Sequence, residues 1–533
     1  MTDVQQTASL AFSVDGNDVE VPDDGASLLE VLRERLGLRT PKDGCSPQGQ
    51  CGCCTVLVDG QPRVACVTPA RRVRGRAITT LDGLPDGDRT AWGEAFCASG
   101  ASQCGFCTPG IVLRLEALRA KGAGPDDLPA VEQALLAHLC RCTGWRTILD
   151  AWSAMTAGTP VALPAGRDLD AAGRRATLEG RVAQTVAPAV ALGHAGFADD
   201  EAPADALVAV PDGEGGWSVA ETLTEARAAS GKVQGRRTTT SVVPPLDLPP
   251  GDWDVTLRTS WVEPAYLETD ASWCAPGGTP ASPLANGGAF GGKTASPATS
   301  AARELADRHG RPVRVLLSRE DAVRWGAKRP PIAAGVHADG TGVIRLARTP
   351  GIADAIAAVA PGLRVEEVDL AGPPTSAGPR AAGWAEALIL LAAAQQADRD
   401  EIEITSPDGA TAWATVTSGA DGADPRIGVR VRCGAPLDEV VLRSYCVGAA
   451  HMALGWVSSE GLAVDDEGRV HDLTIRSFGV LRAVDTPPID VVIEPDGGPP
   501  VNGSDAVFAA VAAATWRAQG LPTAWPTGVR PRP

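Results

Sequence analysis

The chain has 533 residues, enough for several domains with separate hydrophobic cores. Its 48 basic and 65 acidic residues give a net charge of −17, which argues against nucleic acid or an anionic membrane surface as a partner. Thirteen cysteines in a chain of this length, some of them adjacent, do not suggest a disulfide framework. Since we find no export signal and no apolar stretch of membrane-spanning length, we expect a soluble protein of the reducing cytoplasm.

The first elements in chain order are short strands and one helix. Residues 8–21 alternate apolar and polar side chains around an Asp-Gly-Asn turn, which predicts a β-hairpin. A helix follows, with Ser27 as its N-cap and Glu30 completing a capping box. A loop rich in Gly and Cys occupies 39–54, and 56–64 predicts a second hairpin. This order is that of a β-grasp ferredoxin, within an α+β multidomain chain.

The loop and the end of the second hairpin supply a first set of four cysteines: Cys45, Cys51, Cys54 and Cys66. The plant-type [2Fe–2S] pattern is C-x4-C-x2-C…C, and here the first gap is one residue longer. Cys53 falls where the pattern needs no ligand, although an exchange of Cys53 for Cys54 is an alternative. Because four thiolates also bind zinc, a zinc site is the other alternative.

From residue 90 onward the apolar residues recur with the spacing of an α-helix. We expect Thr108 to cap a helix with Pro109 in its first turn, a second helix over 131–139 and a third over 148–155. Two close cysteine pairs stand at the ends of these helices, and they form the second set: Cys104, Cys107, Cys140 and Cys142. Cys97 lies on a helix face and is predicted to be a buried apolar thiol.

Residues 8–155 closely resemble the iron–sulfur portion of the molybdenum hydroxylases, the group of xanthine dehydrogenase, aldehyde oxidoreductase and carbon monoxide dehydrogenase. The resemblance is carried by Gln-Cys-Gly-Phe-Cys-Thr-Pro-Gly (103–110) and Cys-Arg-Cys-Thr-Gly (140–144). It implies two [2Fe–2S] clusters, with the second beside the pterin of a molybdenum cofactor and the first facing the outgoing acceptor. It also implies that Gln103 and Cys142 approach the pterin.

The rest of the chain resembles the same family only in separate segments. Residues 158–240 are predicted to be a connector, and the absence of a dinucleotide fingerprint indicates that the FAD domain of some relatives is missing. From 241 onward, segments such as 261–273 and 287–293 resemble the molybdopterin subunit, but about 300 residues stand where relatives use more than twice as many. The resemblance implies that the glycine-rich loop approaches the cofactor, through Gly287, Gly288, Phe290 and Gly291. A retained packing turn is the alternative.

The decisive departure from the family is the missing general base. Relatives carry a glutamate in a Gly-x-Gly-Glu setting near the C-terminus, whereas this chain has Asn502-Gly503-Ser504-Asp505. Asp505 is expected to cap the helix over 506–517 rather than act as a shortened base. Glu268 and Glu460 are expected to be solvated or at the edge of the core. The six histidines show no ligand spacing.

These patterns predict four regions: a ferredoxin-like domain (1–84), a helical [2Fe–2S] domain (85–157), the connector (158–240) and a shortened molybdopterin-subunit-like region (241–533). The predicted function is an electron-transfer subunit that passes electrons from a molybdopterin centre, on a full-length partner subunit, to an FAD subunit or another acceptor. A compact, self-contained hydroxylase acting on an aldehyde or N-heterocycle is the first alternative. A scaffold whose clusters are structural or sense redox state is the second.

Overall fold

The computed structural model describes residues 9–158, 163–164, 166–231, 240–282, 288–293, 296–417 and 425–529. Within these residues the strands form four sheets, and the helices lie between and against them. The described part of the chain is a mixed α/β multidomain structure.

The first sheet confirms both predicted hairpins and adds a strand. Its strands are β1 (Ser9–Val14), β2 (Asn17–Pro22), β3 (Thr55–Val58), β4 (Gln61–Val64) and β5 (Ala77–Thr79), in the order β2-β1-β5-β3-β4. β5 lies between the hairpins, parallel to β1 and antiparallel to β3. It was not predicted, because three residues are too few to show an alternating pattern.

The helix between the hairpins packs its apolar face on this sheet. It begins as α1 (Leu28–Glu30) and continues as a π-helical turn over Val31–Arg35. The predicted cap is present, because Ser27 Oγ accepts a hydrogen bond from the Glu30 amide at 3.2 Å. Among the described residues Glu30 does not complete the predicted capping box, and its carboxylate accepts a hydrogen bond from the Thr224 hydroxyl instead.

The next region is helical, with α2 (Asp86–Ser99), α3 (Thr108–Arg119), α4 (Leu128–Ala134) and α5 (Arg146–Thr156). Trp92 of α2 and Trp152 of α5 pack with ring centroids 6.4 Å apart. The expectation that Thr108 caps α3 is wrong, because the helix begins at Thr108 and Cys107 is its N-cap residue. The Thr108 hydroxyl instead lies 3.1 Å from Ser102 Oγ. Cys97 is buried on α2, as predicted.

The segment 158–240, predicted as a connector, contains regular elements: α6 (Leu169–Gly180), α7 (Pro188–Ala191), α8 (Ala198–Glu201), β6 (Leu207–Pro211), β7 (Trp217–Ala220) and α9 (Leu223–Ser230). Its strands join β9 (Ala271–Cys274) and β10 (Val313–Leu316) in a second sheet of order β7-β6-β10-β9. β6 pairs in parallel with β10, so this segment shares a sheet with the C-terminal half.

Two further sheets build the C-terminal half. The third contains β8 (Val255–Thr259), β11 (Ile332–Val336), β12 (Gly342–Ala347), β13 (Leu363–Val368) and β18 (Ala524–Trp525), in the order β13-β12-β11-β8-β18. The fourth contains β14 (Ile402–Thr405), β15 (Thr411–Thr417), β16 (Arg426–Arg432) and β17 (Ile489–Ile493), in chain order. Their helices are α10 (Pro297–His309), α11 (Arg319–Trp325), α12 (Ile352–Val359), α13 (Trp384–Gln395), α14 (Glu439–Ser458) and α15 (Ser504–Ala518).

The helix α14 is 20 residues long and apolar enough to cross a membrane by length and composition. The expectation that the chain has no apolar stretch of membrane-spanning length is therefore wrong. The helix packs against α15, and 89% of its most apolar window is buried inside the protein. An apolar helix that is buried all round is the usual core helix of a large domain.

Candidate metal centres

The first cysteine set forms a ring of buried thiols between the loop 45–54 and the turn after β4. Thiol hydrogen bonds join Cys45 to Cys51 and to Cys66, and join Cys66 to Cys54. The bonds from Cys51 and Cys66 lower the pKa of the Cys45 thiol well below its ordinary value. The same bonds raise the pKa of the Cys51 and Cys66 thiols, so the set favours the thiolate, which is the metal-binding form, at Cys45.

Backbone amides around this ring point at sulfur atoms. The Gln48 amide donates to Cys45 Sγ at 3.2 Å, and the Cys66 amide donates to Cys54 Sγ at 3.4 Å. Hydrogen bonds to ligand sulfurs are one of the features that set the reduction potential of an iron–sulfur centre. The loop therefore supplies both the thiols and a backbone environment that suits negative charge.

Cys53 is a fifth buried thiol, which bonds to Cys51 of the first set. Cys54 instead bonds to Cys66, whose backbone amide also donates to Cys54 Sγ at 3.4 Å. This arrangement favours Cys54 over Cys53 as the ligand.

We expect Cys53→Ala to keep two iron–sulfur centres and Cys54→Ala to lose the first, because the thiol and the amide of Cys66 both bond to Cys54. Iron analysis of the purified variants should give about four atoms per chain for Cys53→Ala and about two for Cys54→Ala. The opposite pattern would make Cys53 the ligand. The two variants are matched controls, since they remove the same group from neighbouring positions.

The second cysteine set consists of two contacting pairs at helix ends. Cys142 Sγ lies 3.6 Å from Cys104 Sγ, and the Cys107 thiol bonds to the Cys140 thiol. The bond from Cys107, together with Thr143, lowers the pKa of Cys140 to about 6 although burial opposes the shift. Among the residues that the structure describes, no three His, Cys, Asp or Glu side chains converge closely enough to hold a single metal ion.

The two sets are in direct backbone contact. The amide of Leu139, which precedes Cys140, donates to the carbonyl of Cys51 at 3.0 Å. A Cβ added at Gly110, in the first turn of α3, would lie 2.4 Å from the Gly52 carbonyl, so only glycine fits there. The loops of the first and second sets therefore pack against each other without an intervening layer.

Gln103 and Gly288 lie at the second set. A Cβ at Gly288 would stand 3.3 Å from Cys104 Sγ and 3.4 Å from Cys142 Sγ. Gln103 Nε2 donates to the Cys142 carbonyl and to Ser444 Oγ, each at 2.9 Å. Its Oε1 is buried and has no hydrogen-bond partner in the described part of the chain. An unpaired acceptor of this kind could receive a donor from a bound cofactor.

The rest of the glycine-rich loop packs against the C-terminal half. Phe290, at φ 47°, lies under the Arg380 guanidinium at 4.1 Å and makes an edge contact with Tyr445 of α14. A Cβ at Gly291 would clash with the Gly378 carbonyl. The predicted site residue Gly287 lies outside the described residues.

Sequence models of two domain families match the region that holds both sets. The 2Fe-2S iron-sulfur cluster binding domain matches residues 12–76, and the [2Fe-2S] binding domain matches residues 80–153. The nicotinate dehydrogenase small FeS subunit of Eubacterium barkeri is 40% identical over 126 residues, 24% of this chain and 79% of that protein. The xanthine dehydrogenase iron-sulfur-binding subunit of Escherichia coli O157:H7 is 41% identical over 128 residues, with the same coverage.

The chain belongs to the xanthine dehydrogenase and aldehyde oxidoreductase family. As in the iron–sulfur subunits of this family, two [2Fe–2S] domains transfer electrons, and the chain is an oxidoreductase component. The predicted family, cofactors and electron-transfer function are thereby confirmed. The aldehyde oxidoreductase of Desulfovibrio gigas shares the fold, with a TM-score of 0.68 at 14% identity over 95% of this chain and 97% of that chain.

Glu268 and Glu460 were expected to be solvated or at the edge of the core, but in this member of the molybdenum hydroxylase family both are buried. Glu268 is buried and accepts a hydrogen bond from Lys293 Nζ at 3.0 Å. Glu460 is 1% exposed and forms a bidentate ion pair with Arg141 at 2.6 and 2.7 Å. Arg141 stands between Cys140 and Cys142 of the second set, so this pair ties the second set to the C-terminal half.

Asp505 does not cap α15, contrary to expectation. Gly503 is the N-cap residue, and Asn502 Oδ1 accepts a hydrogen bond from the Asp505 amide at 3.0 Å. The Asp505 carboxylate pairs with Arg181 and, at 3.3 Å, with Arg380. Both of its oxygens therefore face guanidinium groups.

The sequence did not indicate the role of Glu179, whose side chain caps the start of α15. Its carboxylate accepts hydrogen bonds from the amides of Gly503 at 3.1 Å and Ser504 at 2.9 Å, and it pairs with Arg175 at 2.9 Å. A buried carboxylate at a helix N-terminus stabilises the free amides there. No local signal could have revealed its place at α15, since the two amides that it accepts from lie more than 320 residues away.

We expect Glu179→Gln to destabilise the protein by about 1–3 kcal/mol, because one of the two amide acceptors and the charge facing Arg175 are lost. Thermal unfolding of the iron-loaded protein should show a lower melting temperature with an unchanged iron content. An exposed carboxylate of similar size, Glu304→Gln on α10, serves as control and should be almost neutral. Equal melting temperatures for both variants would contradict the structural role.

Proposed function

We propose that this chain is the electron-transfer subunit of a molybdenum hydroxylase assembly. Electrons would enter from a molybdopterin centre on a full-length partner subunit, pass through the two [2Fe–2S] clusters and leave to an FAD subunit or another acceptor. The observation that carries the proposal is the direct contact between the two cysteine sets, through the hydrogen bond from Leu139 to Cys51. The relatives named as iron–sulfur subunits support it.

The residues proposed as ligands are Cys45, Cys51, Cys54 and Cys66 for the first cluster, and Cys104, Cys107, Cys140 and Cys142 for the second. When bound, each cluster would carry one electron at a time. The protein supplies amide hydrogen bonds to the sulfurs, a water-poor surrounding and a short covalent and hydrogen-bonded connection between the sets. All eight thiols are buried, which fits the two groups.

The finer domain order is part of the same proposal. Residues 1–84 would be the β-grasp ferredoxin domain, 85–157 the helical cluster domain, 158–240 the connector and 241–533 a shortened molybdopterin-subunit-like region. The five-stranded first sheet and the helices α2–α5 support the first two assignments. The sheet that 158–240 shares with 241–533 implies that the connector folds with the C-terminal half.

The C-terminal half is proposed to serve docking and shape rather than chemistry of its own. The carboxylates nearest to the expected base position, on Glu179 and Asp505, are both held in ion pairs with arginines. Gln103, Gly288, Phe290 and Gly291 remain the proposed contacts to a pterin, and the unpaired Gln103 Oε1 supports the first of them. We propose a cytoplasmic location, because eight free thiols require a reducing compartment.

The compact hydroxylase remains a second candidate because of one observation. The fold likeness to aldehyde oxidoreductase extends over nearly the whole of both chains. A small cavity of about 30 Å³ beside the glycine-rich loop is lined by Ala289, Arg380, Trp456 and Phe508. Two nitrogens of the Arg380 guanidinium, Nη1 and Nη2, have no hydrogen-bond partner in the described residues.

Metal analysis of the anaerobically purified full chain separates these functions. We expect about four iron atoms per chain, two reducible paramagnetic centres and little molybdenum. Molybdenum near one atom per chain would favour the compact hydroxylase. A colourless protein, or zinc in place of iron, would overturn both. Co-purification with a full-length molybdopterin subunit would support the proposed division of labour.

A further inference from the structure

A strongly basic segment lies on the surface of this acidic protein. Residues 60–80 contain five arginines and neither aspartate nor glutamate, whereas the whole chain carries a net charge of −17. The arginines are Arg63, Arg71, Arg72, Arg74 and Arg76. We call residues 63–76 the basic segment. The charge of this segment is positive, whereas the net charge of the protein is negative. The segment can therefore attract an acidic protein that the rest of the surface repels.

The basic segment surrounds the ligand Cys66 of the first set. Cys66 lies in the helical turn Ala65–Val67 that follows β4, an edge strand of the first sheet. Val67, the next residue, is 57% exposed and is among the most exposed large apolar side chains that the structure describes. A Cβ at Gly49 would stand 2.9 Å from Val67 Cγ1, so Val67 lies directly on the loop between Cys45 and Cys51.

Three of the arginines have their charge available for a partner. Arg74 pairs with Asp23 at 3.5 Å and Arg76 with Asp59 at 2.7 Å. Arg63, Arg71 and Arg72 are exposed and form no ion pair with any residue in the described ranges. An apolar centre with a cationic rim is the anatomy of a small, transient protein interface, in which charge sets the association rate.

On the sides that the structure describes, the second set is covered by the C-terminal half. The Cys142 carbonyl would lie 1.8 Å from a Cβ at Gly448, so α14 is packed directly on it. Gly288 covers Cys104 and Cys142 from another side. Cys66, by contrast, is followed directly in the chain by an exposed apolar side chain, Val67.

We propose that the basic segment, centred on Val67, is the docking surface for an acidic one-electron carrier protein that accepts electrons from the first cluster. The inference rests on the proposed function, because it takes the first cluster as the exit of the relay. In the transfer itself one electron leaves the reduced first cluster, which is oxidised, and the carrier's acceptor is reduced by one electron. No bond forms or breaks and no proton is required.

The test uses the iron-loaded full chain, reduced with dithionite, and two carrier proteins of opposite charge. A flavodoxin is the acidic probe and a cytochrome c the basic one, and stopped-flow absorbance follows their reduction. For wild type we expect the flavodoxin rate constant to fall steeply between about 0.01 and 0.15 M salt, because screening removes the attraction. The double variant Arg71→Glu/Arg72→Glu should slow flavodoxin reduction about tenfold at low salt and leave cytochrome c reduction unchanged or faster.

A matched double reversal, Arg364→Glu/Arg426→Glu, changes the net charge equally on the third and fourth sheets and should leave the flavodoxin rate within about twofold. An equal loss in both double variants, or a wild-type flavodoxin rate that does not depend on salt, would overturn the docking surface while leaving the relay intact. Metal analysis identifies any variant that has lost iron, and such a variant is not used. In that case the salt dependence of the wild-type flavodoxin rate decides whether the docking surface exists.

Wild-type protein that reduces neither carrier would overturn the proposed function itself. Co-sedimentation with anionic phospholipid vesicles, without faster flavodoxin reduction, would assign the segment to a membrane surface and overturn the inference.

Discussion

Replacing Cys142 by alanine is expected to remove one of the two iron–sulfur centres and to stop the relay between them. Cys142 Sγ lies 3.6 Å from Cys104 Sγ, and both thiols are buried, so no water-exposed group can substitute for the lost ligand. Iron should fall from about four to about two atoms per chain. The paramagnetic signal of the first centre should remain, because its four thiols belong to a different loop.

The control for this variant is Cys97→Ala. Cys97 is equally buried but lies on α2, and its carbonyl, not its thiol, accepts the hydrogen bond from Arg167. This protein should keep about four iron atoms and both signals. If Cys142→Ala kept all of its iron, or lost both centres together, the division into two independent four-cysteine sets would be wrong.

The features that could be predicted from the sequence depend on residues close together in the chain. The hairpin around Asp15 and Gly16 follows from a turn whose residues adopt φ of 50° and 82°, which the Asp-Gly pair favours. The cysteine spacing of 45–54 likewise encodes the ring of thiols locally. In each case the chemistry of neighbouring side chains leaves few alternative conformations.

The features that could not be predicted depend on partners that are distant in sequence. Glu460 was expected to be solvated or at the edge of the core, since carboxylates are almost never buried unless paired, and its partner Arg141 is 319 residues away. Thr108 has the side chain of an N-cap, yet the cysteine before it takes that position because Cys107 must reach the second set. β5 and the sheet shared by β6 and β10 are likewise fixed by long-range strand pairing.

Glu460→Ala should be one of the most destabilising single substitutions in the protein. Removing the carboxylate leaves the Arg141 guanidinium buried, and within the described ranges its remaining partner is the Pro264 carbonyl, 3.0 Å from Nε. An uncompensated buried charge costs about 3–5 kcal/mol. Because Arg141 lies between Cys140 and Cys142, the strain is transmitted to the second centre. The expected results are a lower melting temperature and a faster loss of about two iron atoms per chain to a chelator, while the first centre is retained.

Two comparisons separate this effect from a general loss of packing. Glu467→Ala removes an exposed glutamate that pairs with Arg469, and it should change stability by less than about 0.5 kcal/mol. In the double variant Arg141→Leu/Glu460→Leu no unpaired charge remains, so stability should recover by several kcal/mol relative to Glu460→Ala. If the double variant were as unstable as Glu460→Ala, the cost would come from the shape of the site rather than from the buried charge. Iron loss at the wild-type rate in Glu460→Ala would show that the pair does not hold the second centre in place.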